Sequence, residues 1–231
     1  MNIEEHKNVD RRALARELAE SVANDLRKAV TERGGATLVV SGGSTPEPFL
    51  DALSKIELDW AKVTVTLADE RWVDSSDAAS NEAFVRRHLL RGVASPARFV
   101  ALKNAAETPE EGQKDCEAAL HSMALPIDVV VLGMGSDGHT ASLFPDAAEL
   151  AAGLDRTTTQ LCLAVRPPEA PNPRMSLTLA ALLLSRRIVL HITGEKKWQV
   201  YQQAITDGPE EELPIRAVLR NADNVEVWWA L

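Results

Sequence analysis

Leu14, Leu18, Val22, Leu26 and Val30 recur every four residues between Asp10 and Gly34. That spacing predicts a long amphipathic helix, opened by an acidic cap and stopped by a glycine. The pattern then changes to short, non-alternating apolar runs at residues 36–41, 63–68, 99–102, 128–132, 161–165, 188–193 and 225–229. Runs of this length fit strands covered on both faces. Amphipathic stretches stand between most of them, at 46–55, 81–91, 109–123, 177–184, 195–204 and 214–220, and each predicts a helix. Strand and helix in alternation predict an α/β fold in which a doubly wound, mainly parallel sheet carries helices on both faces. The loops at 169–173 and 207–212 are too short to divide it, so one domain spanning 1–231 is expected.

Such sheets bind ligands where loops leave the carboxyl ends of their strands. After the first strand comes Ser41-Gly42-Gly43-Ser44-Thr45-Pro46, a small-residue turn running into a helix. Gly43, Ser44 and Thr45 offer N–H groups and hydroxyls at a positive helix end, which suits a phosphate. The turn lacks the lysine of a nucleotide-triphosphate loop, and Pro46 stands where a serine nucleophile elbow needs glycine. A tight turn with a serine cap is the plainer alternative, and the segment alone does not choose. Asp69-Glu70-Arg71-Trp72 follows the next strand; alone it reads as a solvated loop, and beside other strand ends it reads as the lining of a polar pocket.

Residues 127–145 place His139 after a buried-strand pattern and a glycine-rich turn, at the expected start of a helix, with Asp137 two residues before it. Gly133, Gly135 and Gly138 spell G-x-G-x-x-G, the fingerprint of dinucleotide binding. The context argues against that reading. Pro145 halts any helix within about two turns, and the next strand ends in Arg166-Pro167-Pro168 where a ribose-binding acid belongs. A histidine is instead a natural general base, since its ordinary pKa lies near neutrality. Lys197 in Gly194-Glu195-Lys196-Lys197 opens a helix after the strand at 188–193, and Arg174 ends a proline-stiffened loop. Both are cationic candidates for an anion. Arg86 and Arg87 read as solvated, and His6, His88, His121 and His191, which share no ligand spacing, read as structural.

The bulk properties narrow the partners. A net charge of −9 without a basic stripe argues against nucleic acid and anionic membranes, and 45% apolar composition is ample for a core. Cys116 and Cys162 lack metal-site spacing and are expected to be free, buried thiols in a reducing compartment. The N-terminal stretch has no apolar signal core and no run approaches a membrane span, so a cytoplasmic location is expected.

Taken in order, Ser41 to Pro46, Asp69-Glu70-Arg71-Trp72-Val73, Ser80-Asn81-Glu82, GMGSDGHTASLFP from Gly133 to Pro145, Arg174-Met175-Ser176-Leu177-Thr178 and Gly194 to Lys197 resemble the glucosamine-6-phosphate isomerase/6-phosphogluconolactonase family. The match covers nearly the whole chain, and the histidine segment is its most specific part. The deaminase relatives share the turn, the acid and the Asp-Gly-His, but resemble G-H-I-A-F-N-E-P after the histidine; here Phe144 falls where their glutamate stands. The resemblance therefore implies a Rossmann-like fold as in sugar-phosphate isomerase/deaminase relatives, and hydrolysis of 6-phospho-D-glucono-1,5-lactone to 6-phosphogluconate in the pentose phosphate pathway. It implies no metal and no cofactor, and a monomer or small homo-oligomer. On this reading His139 and Asp137 carry the chemistry, with Gly43, Ser44, Thr45, Asp69, Arg71, Arg174 and Lys197 holding substrate. Backbone N–H groups near 138–140, or a cationic side chain, would meet the oxyanion.

Overall fold

The computed structural model describes residues 3–168 and 170–231; Glu169, expected to begin a stiff loop, lies outside the described residues. The chain runs β1 (Glu4–Asn8), α1 (Arg11–Arg33), β2 (Ala36–Val40), α2 (Glu47–Leu53), β3 (Val63–Leu67), β4 (Asp69–Arg71), α3 (Asn81–His88), β5 (Arg98–Phe99), α4 (Pro109–Leu120) and β6 (Val129–Leu132). It continues through α5 (Leu150–Gly153), β7 (Cys162–Val165), β8 (Arg174–Leu177), α6 (Leu179–Leu183), β9 (Ile188–Thr193), α7 (Glu195–Ala204), α8 (Ile215–Asn221) and β10 (Val225–Ala230).

The long first helix forms as its periodicity requires. The Asp10 side chain accepts from the Arg12 N–H at 2.8 Å, and Gly34 closes the other end at φ 78°, a left-handed conformation suited to glycine. Leu14, Leu18, Val22 and Leu26 are buried on one face, each contributing about 1.5–3 kcal/mol relative to exposure. Seven strands form a wholly parallel sheet in the order β1-β10-β9-β6-β2-β3-β5. Every residue of β2 and β6 is buried, which is why their sequences do not alternate. From β2 the chain winds outward through β3 and β5, whereas β6, β9 and β10 build the other half. The loops after β2 and β6 therefore part at the centre of the sheet, the topological switch point where doubly wound folds open a crevice.

Four strands depart from the expectations drawn from sequence, and the short α5 was not expected at all. Asp69–Arg71 is a strand rather than a solvated loop, and Arg174–Leu177 is a strand rather than a loop end and the start of a helix. With β7 they form a three-stranded antiparallel sheet in the order β4-β8-β7. Thr178 follows β8 and caps α6, its hydroxyl accepting from the Ala181 N–H at 3.0 Å. The edge strand β1 escaped notice because Glu4–Asn8 is charged. The strand expected at 99–102 shrinks to Arg98–Phe99, since the Thr66 hydroxyl, at 2.7 Å, takes the Val100 carbonyl. Cys116 and Cys162 are buried and free as expected, and the Cys116 thiol, followed by burial, pushes the Cys162 thiol up. No helix among the described residues is long and apolar enough to cross a membrane.

His191 in β9 is 3% exposed, and its Nδ1 finds no partner among the described residues. Burial, followed by the charge of Lys197, pushes its pKa down to about 4. The unfolded chain takes up this proton near pH 6.5 and the folded chain does not, so stability falls as pH drops from about 6.5 to about 4 and this loss then levels off, amounting to about 3 kcal/mol. Denaturant unfolding of His191→Leu across that window is expected to show a flatter pH dependence than the parent; an unchanged slope would remove His191 from the account.

Candidate active site

The crevice starts from a stitch between the ends of β2 and β6. The Ser41 N–H and hydroxyl both donate to the Val131 carbonyl, at 3.1 and 3.2 Å, and the Ser41 Oγ accepts from the Gly133 N–H at 3.3 Å. The following turn needs both its glycines. A Cβ on Gly42 would lie 2.0 Å from Asn81 Oδ1, and Gly43 adopts φ 99°. Beyond them the N–H groups of Gly43, Ser44 and Thr45 donate to none of the described residues, and Thr45 Oγ1 sits 3.3 Å from Thr193 Oγ1. Pro46 then leads into α2.

After β6 no helix begins at His139, contrary to the expectation from sequence. The Gly135 N–H donates to the His139 carbonyl at 2.9 Å, closing a tight loop, and Gly138 and Ala141 take positive φ values of 79° and 49°. Within the loop one oxygen of Asp137 meets His139 Nδ1 at 2.7 Å and accepts from the His139 N–H at 3.2 Å. Because a carboxylate only accepts, it places the imidazole proton on Nδ1 and leaves Nε2 as the basic nitrogen. Burial pulls the Asp137 pKa up, but the hydrogen bond and charge of His139 outweigh it and hold the carboxyl below its ordinary value. The loop also narrows the oxyanion expectation, leaving the Thr140 N–H, which donates to none of the described residues, and the cationic side chains. The Gly138 N–H is bound to the Gly135 carbonyl and the His139 N–H to Asp137, so neither is free to meet an oxyanion.

The small antiparallel sheet supplies the charges. Its pleat sends Asp69 and Arg71 to one side and Glu70 to the other. Arg71 stands opposite Arg174 across the β4–β8 ladder, a like-charge pair that costs stability in an ordinary sheet. Arg71 Nη1 donates to the Ala79 carbonyl at 2.7 Å, and Arg174 Nη1 lies 3.5 Å from Asp69 Oδ2. Both guanidinium Nε atoms are buried without a partner among the described residues. Burial lowers the Arg174 pKa, and although Asp69 opposes the shift, neighbouring Arg71 adds to it. Asp69 is itself fixed, accepting from the Ser142 hydroxyl at 2.6 Å and from Asn81 Nδ2 at 3.4 Å.

Gly43, Ser44, Thr45, Asp69, Arg71, His139, Arg174 and Lys197 all line one cavity of about 260 Å³. Asp137 stands behind His139 rather than in the lining. Lys197, in the first turn of α7, is half-buried, and that burial lowers its pKa. Glu70 is not in the lining. Asn81 and Ala141 are, and reading single motifs gave no reason to place them there. The one cluster of metal-type donors among the described residues, Glu47, Asp51 and His88, lies outside this cavity. There Asp51 Oδ1 already meets His88 Nδ1 at 2.9 Å and Arg91 Nη2 at 2.7 Å, which makes it an ion-pair cluster.

Comparison with known proteins places the chain. The family model for glucosamine-6-phosphate isomerases/6-phosphogluconolactonase matches residues 9–229. The chain belongs to this family. It is 48% identical to the 6-phosphogluconolactonase of Pseudomonas aeruginosa over 206 residues, 89% of this chain and 87% of that protein. It is also 48% identical to that of Mesorhizobium japonicum over 222 residues, 96% of this chain and 92% of the relative. The crystal structure of a 6-phosphogluconolactonase from Shewanella baltica superposes with a TM-score of 0.97 at 46% identity, covering 100% of this chain and 98% of that one. A monomeric glucosamine-6-phosphate deaminase, at 19% identity and a TM-score of 0.81, shares the fold.

Glu70 has a structural task beside the cavity. Its carboxylate accepts from the N–H groups of Arg71, Asn81 and Glu82, each at 2.7 Å, and from the Ser80 hydroxyl at 3.1 Å. Burial raises its pKa, and these four hydrogen bonds oppose the rise. It thereby ties the start of α3, which carries Asn81, to β4. Glu70→Ala strands those buried donors and is expected to cost about 2–4 kcal/mol in denaturant unfolding. A loss below about 0.5 kcal/mol would contradict that role.

Proposed function

We propose that the chain hydrolyses 6-phospho-D-glucono-1,5-lactone to 6-phosphogluconate, a step of the pentose phosphate pathway, with His139 as general base and no metal. The observation that carries this reading is His139, held by Asp137 at 2.7 Å and lining the same cavity as the Gly43–Thr45 turn and two arginines. The names and the 48% identity of the curated relatives support it as well.

The free N–H groups of Gly43, Ser44 and Thr45, with Lys197, bind the phosphate. That places the lactone ring toward His139 and the arginine pair. Nε2 of His139 takes a proton from water as the water oxygen attacks C1, and Asp137 stabilises the imidazolium that forms. Negative charge then gathers on the former carbonyl oxygen. With the Gly138 and His139 N–H groups committed, the guanidinium groups of Arg71 and Arg174, which line the same cavity, meet it, and Asp69 holds Arg174 in place. As the intermediate collapses, the bond from C1 to the ring oxygen breaks and His139 returns its proton to that oxygen. Deamination of a sugar phosphate is the competing reaction. Phe144, where those relatives carry glutamate, has no proton to move.

The direct test is proton release on adding freshly made lactone; a rate no faster than spontaneous hydrolysis would reject the proposal. Gluconolactone without phosphate loses two or more charge-assisted hydrogen bonds of about 1.5–3 kcal/mol each, and its kcat/KM is expected to be at least about 100-fold lower. Equal values for the two lactones would refute the phosphate cradle. Lys197→Ala is expected to raise KM about 10- to 100-fold with kcat nearly unchanged, since the phosphate contact is the same in ground and transition states. An unchanged KM with a collapsed kcat would move Lys197 into the chemical step.

A further inference from the structure

One aromatic side chain packs against His139 and belongs to neither the cradle nor the proton path. The Phe144 ring lies with its centroid 4.2 Å from that of His139, the planes inclined by 34°. It is backed by a small apolar cluster of Leu143, Ala147, Leu150, Leu163 and Val165, separate from the main core. The cluster gathers the catalytic loop, α5 and β7, and Phe144 is the part of it that reaches His139.

We propose that Phe144 is a positioning residue for His139, fixing the plane of the imidazole so that Nε2 faces the attacking water. The inference rests on the reading of His139 as general base. The side chain of His139 is 29% exposed, and its hydrogen bond to Asp137 fixes only Nδ1. Held covalently at Cβ and by one hydrogen bond to a carboxylate that is itself 48% exposed, the ring can still shift together with that carboxylate. A second ring laid against its face removes that shift, and the cluster behind Phe144 keeps that second ring still. The Arg174 guanidinium carbon also lies over Phe144, 5.3 Å from the centroid, so substrate binding has to be measured separately from turnover. Small errors in aim are costly in a proton transfer, on the order of 10- to 100-fold in rate.

The test compares Phe144→Leu, which keeps apolar bulk but loses the flat face, with Phe144→Tyr, which keeps the ring. Steady-state hydrolysis of the phosphorylated lactone is expected to show kcat of Phe144→Leu reduced about 10- to 100-fold with KM within about threefold, and Phe144→Tyr within about threefold of the parent on both. In a His139→Ala background Phe144→Leu is expected to have no further effect, because it acts through the imidazole. In proton NMR the His139 ring resonances, displaced by the neighbouring aromatic ring, are expected to move in Phe144→Leu and to stay in Phe144→Tyr. Phe144→Met replaces the leucine variant, with the same expectations, if that variant does not fold. Parent-like kcat in the leucine variant would overturn the proposal while leaving His139 as base. So would an equal loss in the His139→Ala background, or a raised KM at constant kcat. Parent-like turnover of His139→Ala itself would remove the base reading, and the proposal with it.

Discussion

The parting of the chain between β2 and β6 is the constraint on which the site depends. These strands pair in parallel, with Leu38 beside Val129 and Val40 beside Val131, and successive elements wind away from them on both sides. Parallel pairing demands crossovers, so both strands must end at the same edge of the sheet with their loops diverging. The Ser41 contacts to Val131 and Gly133 hold the mouth of that gap. One loop supplies free N–H groups and the other supplies His139. Their separation is set by strand spacing rather than by either loop alone.

The second constraint is electrostatic. Asp69, Arg71 and Arg174 sit in a small sheet where burial works against every charge, and taking an ion from water costs several kcal/mol even after relaxation. The Asp69–Arg174 contact offsets part of this, while the opposed arginines add to it. On the proposed reading, an anion arriving between the two arginines would relieve that repulsion. Glu70, one residue along, shows the other use of a buried carboxylate, since three of its four hydrogen bonds come from the loop and helix start that carry Asn81 and the fourth from the Arg71 N–H.

Much of this was legible in the chain before any coordinates. The buried parallel strands declare themselves because double-sided burial removes alternation, and α1 does so through its four-residue repeat and its caps. The strands β4 and β8 were hidden for a physical reason: Asp69, Arg71 and Arg174 face a cavity, so polar residues occupy positions that would be apolar in a core strand. The edge strand β1 is charged for a related reason, since an unpaired edge is protected by charge. The helix expected at His139 failed because the Gly135 N–H to His139 carbonyl bond closes the loop first, and no local propensity announces that bond. Sequence brought the cationic candidates together only through the order of motifs; that Arg71 and Arg174 are register partners required the fold.

The central claim is that His139, oriented by Asp137, moves the proton. His139→Gln keeps size and hydrogen-bonding capacity but cannot take a proton from water. Proton release from freshly made 6-phosphogluconolactone by this variant measures the claim most directly, with binding of 6-phosphogluconate as the control for an intact cavity. The account predicts a loss of about two to four orders of magnitude in kcat with product affinity retained. Near-parent turnover would contradict it and leave Asp69 or Asp137 as the base.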